Sequence, residues 1–384
     1  GPLLADARLD LVITAGDAID TAPVPALALA ELATRAAGAR PHPVRRPDPA
    51  DLAVLQYTSG STRDPRGVPV THAHLAANLA ALDDLFPADV LRAGPMLSWL
   101  PLHHDLGLIG FLAFPMSRGH SLVLYPPRSF ALRPASWLEA LSRHRAVGTA
   151  APDFAYRVVT PLLAAGMELD LRNLRFVLSG AEPIAVPAMR RFLTAAARYG
   201  LDPAAAIAAY GLAESTLVVT CSRPGAGLTA DPVDPDALER DGRATPPRAG
   251  GRIRLLARLG RPVLGTRLRV VDPVTGAPVG DREVGEIEVR GASVVGHYWG
   301  DPPPPAGAWL RTGDLGYLAD GELVVCGRRK DVLFAAGRNL YPADIEVAAG
   351  QVPGVRTGGA VAFGVPGEEG DRLVVVIESR ADDR

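Results

Sequence analysis

The sequence predicts an α/β protein with a large N-terminal domain, a β-rich subdomain within it and the beginning of a small C-terminal α/β domain. Three observations support this prediction. Strand-like and helix-like segments alternate between residues 53 and 220. Segments with the two-residue period of β-strands follow between 266 and 328. The remaining residues return to a strand–helix–strand pattern, so we divide the chain into residues 1–327 and 328–384.

The first part of the chain supplies a helix, a connector and a strand–loop–helix unit. "PALALAELATRAAG" at 25–38 predicts an alanine-rich helix that ends at a glycine. A proline-rich connector follows at 40–53. "AVLQYTSGST" then predicts a buried strand that enters a loop, and "THAHLAANLAALDDLF" predicts a helix with Thr71 as its N-cap.

Three further pairs of segments have the strand-then-helix pattern. The strands "HSLVLYP", "LRFVLSG" and "AAIAAYG" precede "PASWLEALSRHR", "PAMRRFLTAAARYG" and "LAESTLVVT", respectively. Folds of this class bind ligands at the carboxyl ends of their strands, where this chain carries turns marked by glycine and proline. We therefore expect functional residues at these turns.

The composition changes after residue 221. A stretch dense in Pro, Gly, Asp and Arg predicts a long surface insertion at about 222–260. The segments "TRLRVVDPVTG", "GEIEVRG" and "GELVVCGR" that follow it predict strands. Beyond residue 331 the sequence predicts a strand, a helix and two more strands, in "DVLFAAG", "ADIEVAAGQ", "GAVAFGVPG" and "RLVVVIES".

The overall composition excludes several classes of protein. The 384 residues carry a formal charge of −2, which argues against a nucleic-acid-binding protein. The most apolar run, "LGLIGFLAFPM", is too short for a membrane span, and the N-terminus lacks the pattern of a signal peptide. Cys221 and Cys326 lack metal-ligand spacing, and so few cysteines favour a reducing compartment. These features predict a cytoplasmic protein.

Five short stretches carry side chains suited to nucleotide chemistry, although each alone is also compatible with an ordinary turn or helix cap. "YTSGSTRDPRGV" at 57–68 combines hydroxyls, glycine and arginines suited to phosphate oxygens, without the lysine of a P-loop. "WLPLHHDLGLIG" sets two histidines and an aspartate before an apolar helix, and "LSGAEPI" would let a flat ligand approach the backbone. In "AYGLAEST", Tyr210 could stack on a base and Glu214 could hold a divalent cation. "RTGDLGYL" offers Asp314 to two vicinal hydroxyls.

Together and in this order, these motifs resemble those of the adenylate-forming superfamily. That superfamily includes acyl-CoA synthetases, adenylation domains of peptide synthetases, luciferases and fatty acyl-AMP ligases. "GRRKD" and "GRNLYPADIE" extend the resemblance, which spans residues 57–346. "LQYTSGST", "SWLPLHHDLGLIG", "AAPDFAY" and "GRNLYPADIE" are most similar to the fatty acyl-AMP ligases. The segment at 222–260 falls where those ligases carry an insertion thought to hinder the domain rotation that serves coenzyme A.

The resemblance implies an ATP- and Mg²⁺-dependent reaction of a fatty acid that yields acyl-AMP and pyrophosphate. It assigns Tyr210 to adenine, Asp314 to the ribose, and Glu214 with Thr62 to Mg²⁺. Lys330 and Asp331 would form the hinge between the two domains. The residues assigned to catalysis are His104, Glu214, Arg66 and Lys330.

The resemblance also assigns the remaining walls of the site. Plain core packing remains an equal alternative for the aromatic residues given to the acyl chain. The residues assigned to the nucleotide are Thr58, Ser59, Gly60, Ser61, Thr62, Ser179, Gly180, Ala181, Glu182, Tyr210, Gly211, Ala213, Ser215, Asp314 and Arg328. Those assigned to the substrate are Phe111, Phe114, Asp153, Phe154 and Tyr156.

The chain departs from the family pattern at several positions. Arg66 stands where the family usually has lysine, and Arg63 where it prefers glycine. The family's adenylation step relies on a lysine near the end of the small domain, whereas the only lysine here is Lys330. The strands that normally precede "LQYTSGST" are largely absent, so we expect a chain shortened at both ends.

Three functions remain open from the sequence. The first is a fatty acyl-AMP ligase that delivers its product to the phosphopantetheine arm of an acyl carrier protein in polyketide, lipopeptide or lipid biosynthesis. The second is an acyl-CoA synthetase or an amino-acid adenylation domain, for which Asp153 could pair with a substrate ammonium. The third is a pseudo-ligase that binds an acyl-adenylate or nucleotide without catalysis, which Arg63 and Arg66 favour.

Overall fold

A computed structural model describes residues 6–14, 24–40, 43, 46–58, 65–335, 338–365 and 372–379. The strands are β1 (Val12–Thr14), β2 (Ala26–Ala28), β3 (Leu52–Thr58), β4 (Arg66–Thr71), β5 (Met96–Ser98), β6 (Leu122–Leu124), β7 (Gly148–Ala151), β8 (Phe176–Ser179), β9 (Ala206–Gly211), β10 (Val218–Cys221), β11 (Ala230–Val233), β12 (Arg254–Ala257), β13 (Arg261–Pro262), β14 (Thr266–Val271), β15 (Gly285–Gly291), β16 (Leu310–Ala319), β17 (Glu322–Arg328), β18 (Leu333–Ala335), β19 (Arg338–Leu340), β20 (Val355–Val365) and β21 (Arg372–Ser379). The α-helices are α1 (Leu29–Ala36), α2 (His72–Leu85), α3 (Ala88–Arg92), α4 (Phe114–Arg118), α5 (Pro127–Leu132), α6 (Ala135–Arg143), α7 (Asp153–Ala165), α8 (Val186–Ala197), α9 (Pro235–Asp241) and α10 (Pro342–Ala349). A π-helix covers Leu106–Ala113, and 3₁₀ helices cover Pro203–Ala205 and Ala213–Ser215.

A seven-stranded sheet forms the centre of the fold, in the order β13-β10-β9-β8-β7-β5-β6. The strands from β6 to β9 are parallel, whereas β10 runs antiparallel to β9 and β13 antiparallel to β10. From β5 the chain moves outward to β6 and then returns to β7 on the other side of β5. Ligands bind beside the carboxyl ends of strands at such a reversal of strand order. The predicted α/β class is confirmed.

Aromatic side chains fix the helices α6, α7 and α8 to this sheet. Trp137 of α6 and Tyr156 of α7 are fully buried, with ring centroids 5.6 Å apart. The Tyr156 hydroxyl donates to the Leu178 carbonyl at 2.7 Å, so the buried phenol keeps a hydrogen-bond partner. Phe192 of α8 packs on Tyr156, with centroids 4.8 Å apart. Tyr156 is therefore part of the core between α7, α8 and β8.

Helix α2 begins where the sequence predicts and holds the turn between β9 and β10. The Thr71 hydroxyl accepts from the His74 amide at 3.3 Å, as expected of an N-cap. One turn further on, fully buried Asn78 donates to the carbonyls of Ser215 and Val218 at 3.2 and 3.1 Å. These bonds satisfy backbone groups of an irregular turn that would otherwise be buried without partners.

The hairpin β3–β4 carries the hydroxyl-rich loop of the sequence. Thr58 at the end of β3 pairs with Arg66 at the start of β4, and the loop joins these two residues. Val68 and Val70 of β4 are fully buried and fix the hairpin to Ala213 and its neighbours. The loop lies outside the described residues, so the phosphate and Mg²⁺ assignments within it stay predictions; they concern Ser59, Gly60, Ser61 and Thr62.

One predicted helix is wrong. The segment "LAESTLVVT" after β9 forms a single 3₁₀ turn at Ala213–Ser215 and then strand β10. Thr216 adopts a positive φ of 70°, which ends the turn. The run of β-branched residues after it favours a strand over a helix, and pairing with β9 decides the outcome.

A four-stranded antiparallel sheet, β14-β15-β16-β17, forms the predicted β-rich segment. Its strand β17 contacts β13 at the edge of the central sheet. Asp314 of β16 lies directly opposite Arg328 of β17 in the strand register, so their side chains project from the same face. This sheet therefore brings a carboxylate and a guanidinium toward the carboxyl ends of the central strands.

The predicted insertion at 222–260 is an ordered segment. Strands β11 and β12 pair in it, and helix α9 lies between them. Asp234 caps α9 through a bond from the Asp236 amide at 2.9 Å, Pro235 is its first residue, and Gly242 ends it with φ +61°. These are ordinary start and stop signals of a helix, so the stretch "DPDALERDG" by itself predicts α9. The composition of the whole 222–260 segment, which is rich in Pro and Gly, obscured that signal.

The segment after β17 contains β18, β19, α10, β20 and β21. Helix α10 packs against β20, which pairs with β21 over most of its length. The predicted division at residues 327 and 328 stays a prediction. Within the described ranges, none of the helices has the length and apolar character needed to cross a bilayer.

Asp231 joins the 222–260 segment to the four-stranded sheet. Its side chain is 2% exposed and accepts from Arg282 and the Tyr317 hydroxyl at 2.7 Å each, and from Arg258 at 3.3 Å. Burial by itself raises the pKa of Asp231, but the bonds from Tyr317 and the two arginines outweigh burial and lower it. The carboxylate is therefore charged in the folded protein and holds three elements together.

We predict that Asp231→Ala lowers the free energy of unfolding by about 3 kcal/mol. It leaves the partly buried Arg282 guanidinium and the Tyr317 hydroxyl without their carboxylate, and it removes one of the three carboxylates that pair with Arg258. The lowered pKa means that the contribution is present above about pH 4 and is lost as the pH falls through the folded-state value. Urea unfolding at neutral and acidic pH measures both effects. Asp320→Asn is the control, because this carboxylate also pairs with Arg258 but is 75% exposed, and asparagine tolerates the positive φ of 55° at this position. It should cost less than about 1 kcal/mol. Equal losses in the two variants would contradict the prediction.

Candidate active site

A cavity of about 810 Å³ opens beside the carboxyl ends of β8 and β9 and the segment that follows β5. The π-helix, strand β16 and residues 328–330 complete its walls. The cavity collects residues that are up to about 270 positions apart in the sequence, as a convergent ligand site requires. The predicted site residues that line it are Thr58, His104, Phe111, Phe114, Gly180, Ala181, Tyr210, Gly211, Ala213, Glu214, Asp314, Arg328 and Lys330.

The turn between β9 and β10 sets the position of two of these residues, Tyr210 and Glu214. A Cβ atom on Gly211 would lie 2.0 Å from the Leu217 carbonyl oxygen, so glycine is required there. The same carbonyl accepts from the Leu212 amide at 3.0 Å and closes the turn. The turn is also locally strained at Thr216, whose hydroxyl is held by the Ser293 carbonyl at 2.7 Å. Strain of this kind concentrates at ligand sites.

Tyr210 and Asp314 form the contact between the central sheet and the four-stranded sheet. The Tyr210 hydroxyl donates to Asp314 at 2.6 Å, and the Arg328 guanidinium lies 3.2 Å from the other carboxylate oxygen. Burial and the neighbouring carboxylate raise the pKa of Tyr210 well above its usual value. Burial also raises the pKa of Asp314, while the bonds from Tyr210 and Arg328 oppose that effect. The result is an aromatic face and a hydrogen-bonded carboxylate at one end of the cavity.

Glu214 is held by a residue that the sequence motifs did not single out. The Tyr298 hydroxyl donates to Glu214 at 2.7 Å. The Arg66 guanidinium stacks 3.6 Å from the Tyr298 ring centroid and forms an ion pair with Asp301 at 2.6 Å. Burial, followed by the bond to Glu214, raises the pKa of Tyr298, so this hydroxyl remains a donor. Arg66 therefore supports the ring that orients Glu214 and does not line the cavity.

His104 lies at the start of the π-helix beside Asp105. The His104 Nδ1 is 2.6 Å from the Asp105 carboxylate, which also caps the helix by accepting from the Leu106 amide at 2.7 Å. The hydrogen bond to Asp105 raises the pKa of His104 and outweighs the effect of burial. Gln56 of β3 donates to the His103 carbonyl at 2.7 Å and holds this segment against the hairpin. Local π-helical structure is common at functional sites.

Several predicted site residues do not reach the cavity. Asp153 is 1% exposed, accepts from the Ala185 amide at 3.1 Å and pairs with Arg157 at 3.1 Å. Burial raises the pKa of Asp153 to about 6. The other residues outside the cavity are Arg66, Phe154, Tyr156, Ser179, Glu182 and Ser215.

Each of those residues has a structural partner elsewhere or lies in the core. Phe154 packs edge-on against Trp99, with centroids 6.3 Å apart, and its amide donates to Glu182 at 2.6 Å. Ser179 at the end of β8 is 1% exposed, and Ser215 at the end of the 3₁₀ turn is fully buried, so both side chains lie in the core. We therefore correct the substrate assignment of Asp153, Phe154 and Tyr156: these side chains do not line the cavity and instead pack α7 against its neighbours.

The apolar end of the cavity was missed by the sequence analysis apart from Phe111 and Phe114. It extends between α2, the π-helix and strands β5, β8 and β10. The apolar residues there that the sequence had not assigned to the site are Leu82, Leu85, Phe86, Met96, Leu106, Phe176, Leu178, Leu217, Val218 and Cys221. Their sequence signal is only that of ordinary core residues, because a core wall and a cavity wall have the same composition.

Comparisons with known proteins agree with this geometry. Residues 4–299 match the AMP-binding enzyme family. The chain is 42% identical over 340 residues to Rv1013 of Mycobacterium tuberculosis, which is named only as a ligase, covering 86% of this chain and 62% of that protein. It is 39% identical over 361 residues to the long-chain-fatty-acid–AMP ligase FadD26 of Mycobacterium marinum, covering 86% of this chain and 60% of that protein. The chain thus spans about three fifths of the length of these relatives.

Comparison with a solved structure agrees, and the match covers a larger share of the compared protein than the sequence matches do. In work on fatty acyl-adenylate ligases from E. coli and L. pneumophila, one structure superposes on this chain with a TM-score of 0.89 at 36% identity. The match covers 100% of this chain and 71% of that one. With the aromatic face, the two carboxylates and the apolar end in a single cavity, this agreement identifies the chain as a member of the AMP-binding enzyme family, in its fatty acyl-AMP ligase branch.

Proposed function

We propose that the protein activates a fatty acid as its acyl-adenylate, with ATP as co-substrate and pyrophosphate as the second product. The observation that carries the proposal is the composition of one continuous cavity. Its polar part contains Tyr210, Asp314, Glu214 and His104, and its other part is lined by aliphatic and aromatic side chains. An acyl-adenylate has the same division, because its nucleotide is polar and its acyl chain is apolar.

The polar part of the cavity suits a nucleoside monophosphate unit. Tyr210 offers an aromatic face for adenine, and the backbone at Gly180 and Ala181 leaves room for a flat base beside it. Asp314 can accept from two vicinal ribose hydroxyls, with Arg328 as the adjacent cation.

We also propose Mg²⁺ as the accompanying cation. Among the described residues no group of three or more His, Cys, Asp or Glu side chains could hold a metal by itself. Mg²⁺ is commonly held by one or two carboxylates together with substrate phosphates, and Glu214 in the cavity wall fits that arrangement. When bound there, the ion would neutralise charge on the phosphate oxygens.

The reaction is an in-line displacement at phosphorus. A carboxylate oxygen of the fatty acid forms a bond to the α-phosphorus of ATP while the bond from that phosphorus to the pyrophosphate oxygen breaks. His104, whose pKa is raised by Asp105, would supply a positive charge beside the reacting oxygens. Lys330, at the predicted hinge, lines the same cavity and would contribute a second cation. Positioning and charge neutralisation carry most of the catalysis in such reactions.

The apolar part of the cavity supports a fatty acid over an amino acid as the substrate. An amino-acid substrate needs a carboxylate beside its ammonium group, and Asp153, the sequence candidate for that role, does not line the cavity. The aliphatic and aromatic lining would instead stabilise a bound fatty acid, because each methylene group buried there contributes about 0.8 kcal/mol to binding.

We further propose that the acceptor of the acyl group is the phosphopantetheine arm of an acyl carrier protein and that the reaction takes place in the cytoplasm. Two contacts support a restricted small domain. Arg254 of β12 pairs with Asp344 of α10 at 2.9 Å, and Arg338 of β19 pairs with Asp236 of α9 at 3.2 Å. These ion pairs join the 222–260 segment to the residues after the hinge and would oppose a rotation that admits free coenzyme A.

Incubation of the chain with ATP, Mg²⁺ and fatty acids of graded length tests the proposal. We expect acyl-AMP and pyrophosphate in equal amounts by mass spectrometry, and thermal stabilisation by a non-hydrolysable acyl-adenosine analogue. Absence of both, or AMP release that requires an amino acid, would overturn the proposed function. With holo carrier protein or coenzyme A added, we expect acyl transfer to the carrier protein; efficient acyl-CoA formation would refute the acceptor.

Glu214→Gln should lower the rate of acyl-AMP formation by about 10²–10³-fold, because a neutral amide cannot replace a carboxylate as a cation ligand. Affinity for the acyl-adenosine analogue, which lacks the pyrophosphate, should change far less. Glu182→Gln is the matched control, since that carboxylate lies outside the cavity and accepts from the Phe154 amide. An unchanged rate in Glu214→Gln would remove this residue from the site.

Asp105→Asn should move the alkaline limb of the pH–rate profile to lower pH. The side-chain oxygen of the introduced asparagine would still accept from the Leu106 amide, but the negative charge that raises the pKa of His104 would be lost. His104 would then lose its proton at a lower pH, and the rate would fall with it. The profile of kcat/KM against pH measures the shift, with Asp83→Asn as a control that alters an exposed ion pair of α2. An unmoved limb would exclude His104 as the titrating cation.

A further inference from the structure

The apolar part of the cavity is closed by three phenylalanine rings. Phe86 follows the end of α2, Phe114 follows the π-helix and Phe176 is the first residue of β8. The Phe86 centroid is 4.7 Å from that of Phe176 and 6.2 Å from that of Phe114. The three side chains are at most 4% exposed, and all three line the cavity. These three rings form the floor of the apolar part: Phe176 lies at the amino end of β8, whereas Tyr210 lies near the carboxyl end of the neighbouring β9.

The position of the Phe176 ring depends on a glycine in the neighbouring strand. Gly148 of β7 lies directly opposite Phe176 in the parallel register. A Cβ atom on Gly148 would lie 2.0 Å from two carbons of the Phe176 ring and 2.5 Å from a third. The ring therefore occupies the space that a side chain on residue 148 would need. Because Cβ atoms essentially never come within 3.0 Å of a non-bonded atom, any such side chain would push the ring by about 1 Å or more.

The topology of the sheet determines the direction of that displacement. Strands β7 and β9 flank β8 on opposite sides. The cavity wall includes Ala209, Tyr210 and Gly211 of β9 and two residues of β10, but no residue of β7. Met96 of β5, which lies opposite Gly148 on the other side of β7, also lines the cavity. The Phe176 ring thus covers β7 at Gly148 between two cavity-lining strands, and a group added to residue 148 would push the ring off the sheet. The ring would then take space from the apolar part of the cavity.

We propose that Phe86, Phe114 and Phe176 limit the length of the acyl chain by contacting its end. Gly148 is a positioning residue: it lets the Phe176 ring lie close against β7, which leaves room for a longer chain. The inference rests on the proposed function, because it concerns the fatty acid in that same cavity. It assigns a specificity role to a glycine that touches neither the nucleotide nor the reacting atoms.

Because the three rings are closely packed, binding should weaken sharply once an acyl chain is longer than the longest one that fits. A protein interior has few voids, so a chain with one methylene too many must displace side chains. One methylene in excess or deficit changes selectivity in a hydrophobic pocket by about tenfold or more. A displacement of the Phe176 ring should therefore appear as a shift in the preferred chain length, with shorter ligands little affected.

Binding of acyl-adenosine analogues of graded chain length to the full chain tests the proposal, by calorimetry and thermal shift. We expect Gly148→Ala to weaken binding of the longest analogue accepted by the parent protein about tenfold and to leave shorter ones within about threefold. Phe176→Ala should extend the accepted length, and Phe176→Leu is the milder form if the alanine variant does not fold. The double variant G148A/F176A should have the profile of Phe176→Ala, since the ring that the added methyl group displaces is absent.

A matched control separates specificity from general loss of packing. Phe192→Ala removes an equally buried ring that packs on Tyr156 and does not line the cavity, so it should lower stability without altering the length profile. Identical length profiles for the parent protein, Gly148→Ala and Phe176→Ala would overturn the inference. Additive effects in the double variant would also overturn it. If no analogue binds any variant or the parent protein, the proposed function fails instead.

Discussion

The hydrogen bond from Tyr210 to Asp314 is the interaction on which the arrangement of the site depends. It joins the end of strand β9 in the central sheet to strand β16 in the four-stranded sheet. These two elements are about 100 residues apart in the chain. The Arg328 guanidinium offsets the cost of burying the Asp314 carboxylate. Together with the buried cluster of Val219, Ile287, Val289 and Leu323, this contact keeps the aromatic face and the carboxylate on one surface.

A second set of contacts orients the Glu214 carboxylate in the cavity wall. Tyr298 holds Glu214, Arg66 stacks on Tyr298, and Asp301 pairs with Arg66. Side chains fixed in this way lose little conformational freedom when a substrate binds, which favours preorganised electrostatic catalysis. Arginine suits this role better than lysine, because its planar guanidinium can stack and form an ion pair at the same time. The departure from the family pattern at Arg66 thus has a structural use.

The same cavity combines two physical environments because two kinds of element form its walls. The carboxyl ends of strands and the turns after them present backbone and polar groups, whereas the interior faces of α2, the π-helix and β8 present apolar side chains. The floor of the apolar part is set by Phe176 and by the absence of a side chain on Gly148. In the proposed acyl site, the accepted chain length would thus depend on how β7 and β8 pack.

The sequence by itself determined the α/β class, the order of most elements and the polar residues of the site. The signals that can be recognised without coordinates are local ones. They are the strand and helix periods, caps such as Thr71, and the short motifs around Tyr210, Glu214 and Asp314. The resemblance to fatty acyl-AMP ligases rested on those motifs, and the family assignment is confirmed.

Only the tertiary structure decided which apolar residues face the cavity and which fill the core. Tyr156 and Phe176 are both fully or nearly fully buried aromatics, yet only Phe176 lines the cavity. The roles of Tyr298 and Gly148, and the strand in place of a helix after Glu214, likewise depend on partners distant in sequence. Burial is non-directional, so the pattern of apolar residues predicts that a side chain is inside the protein but not what it faces.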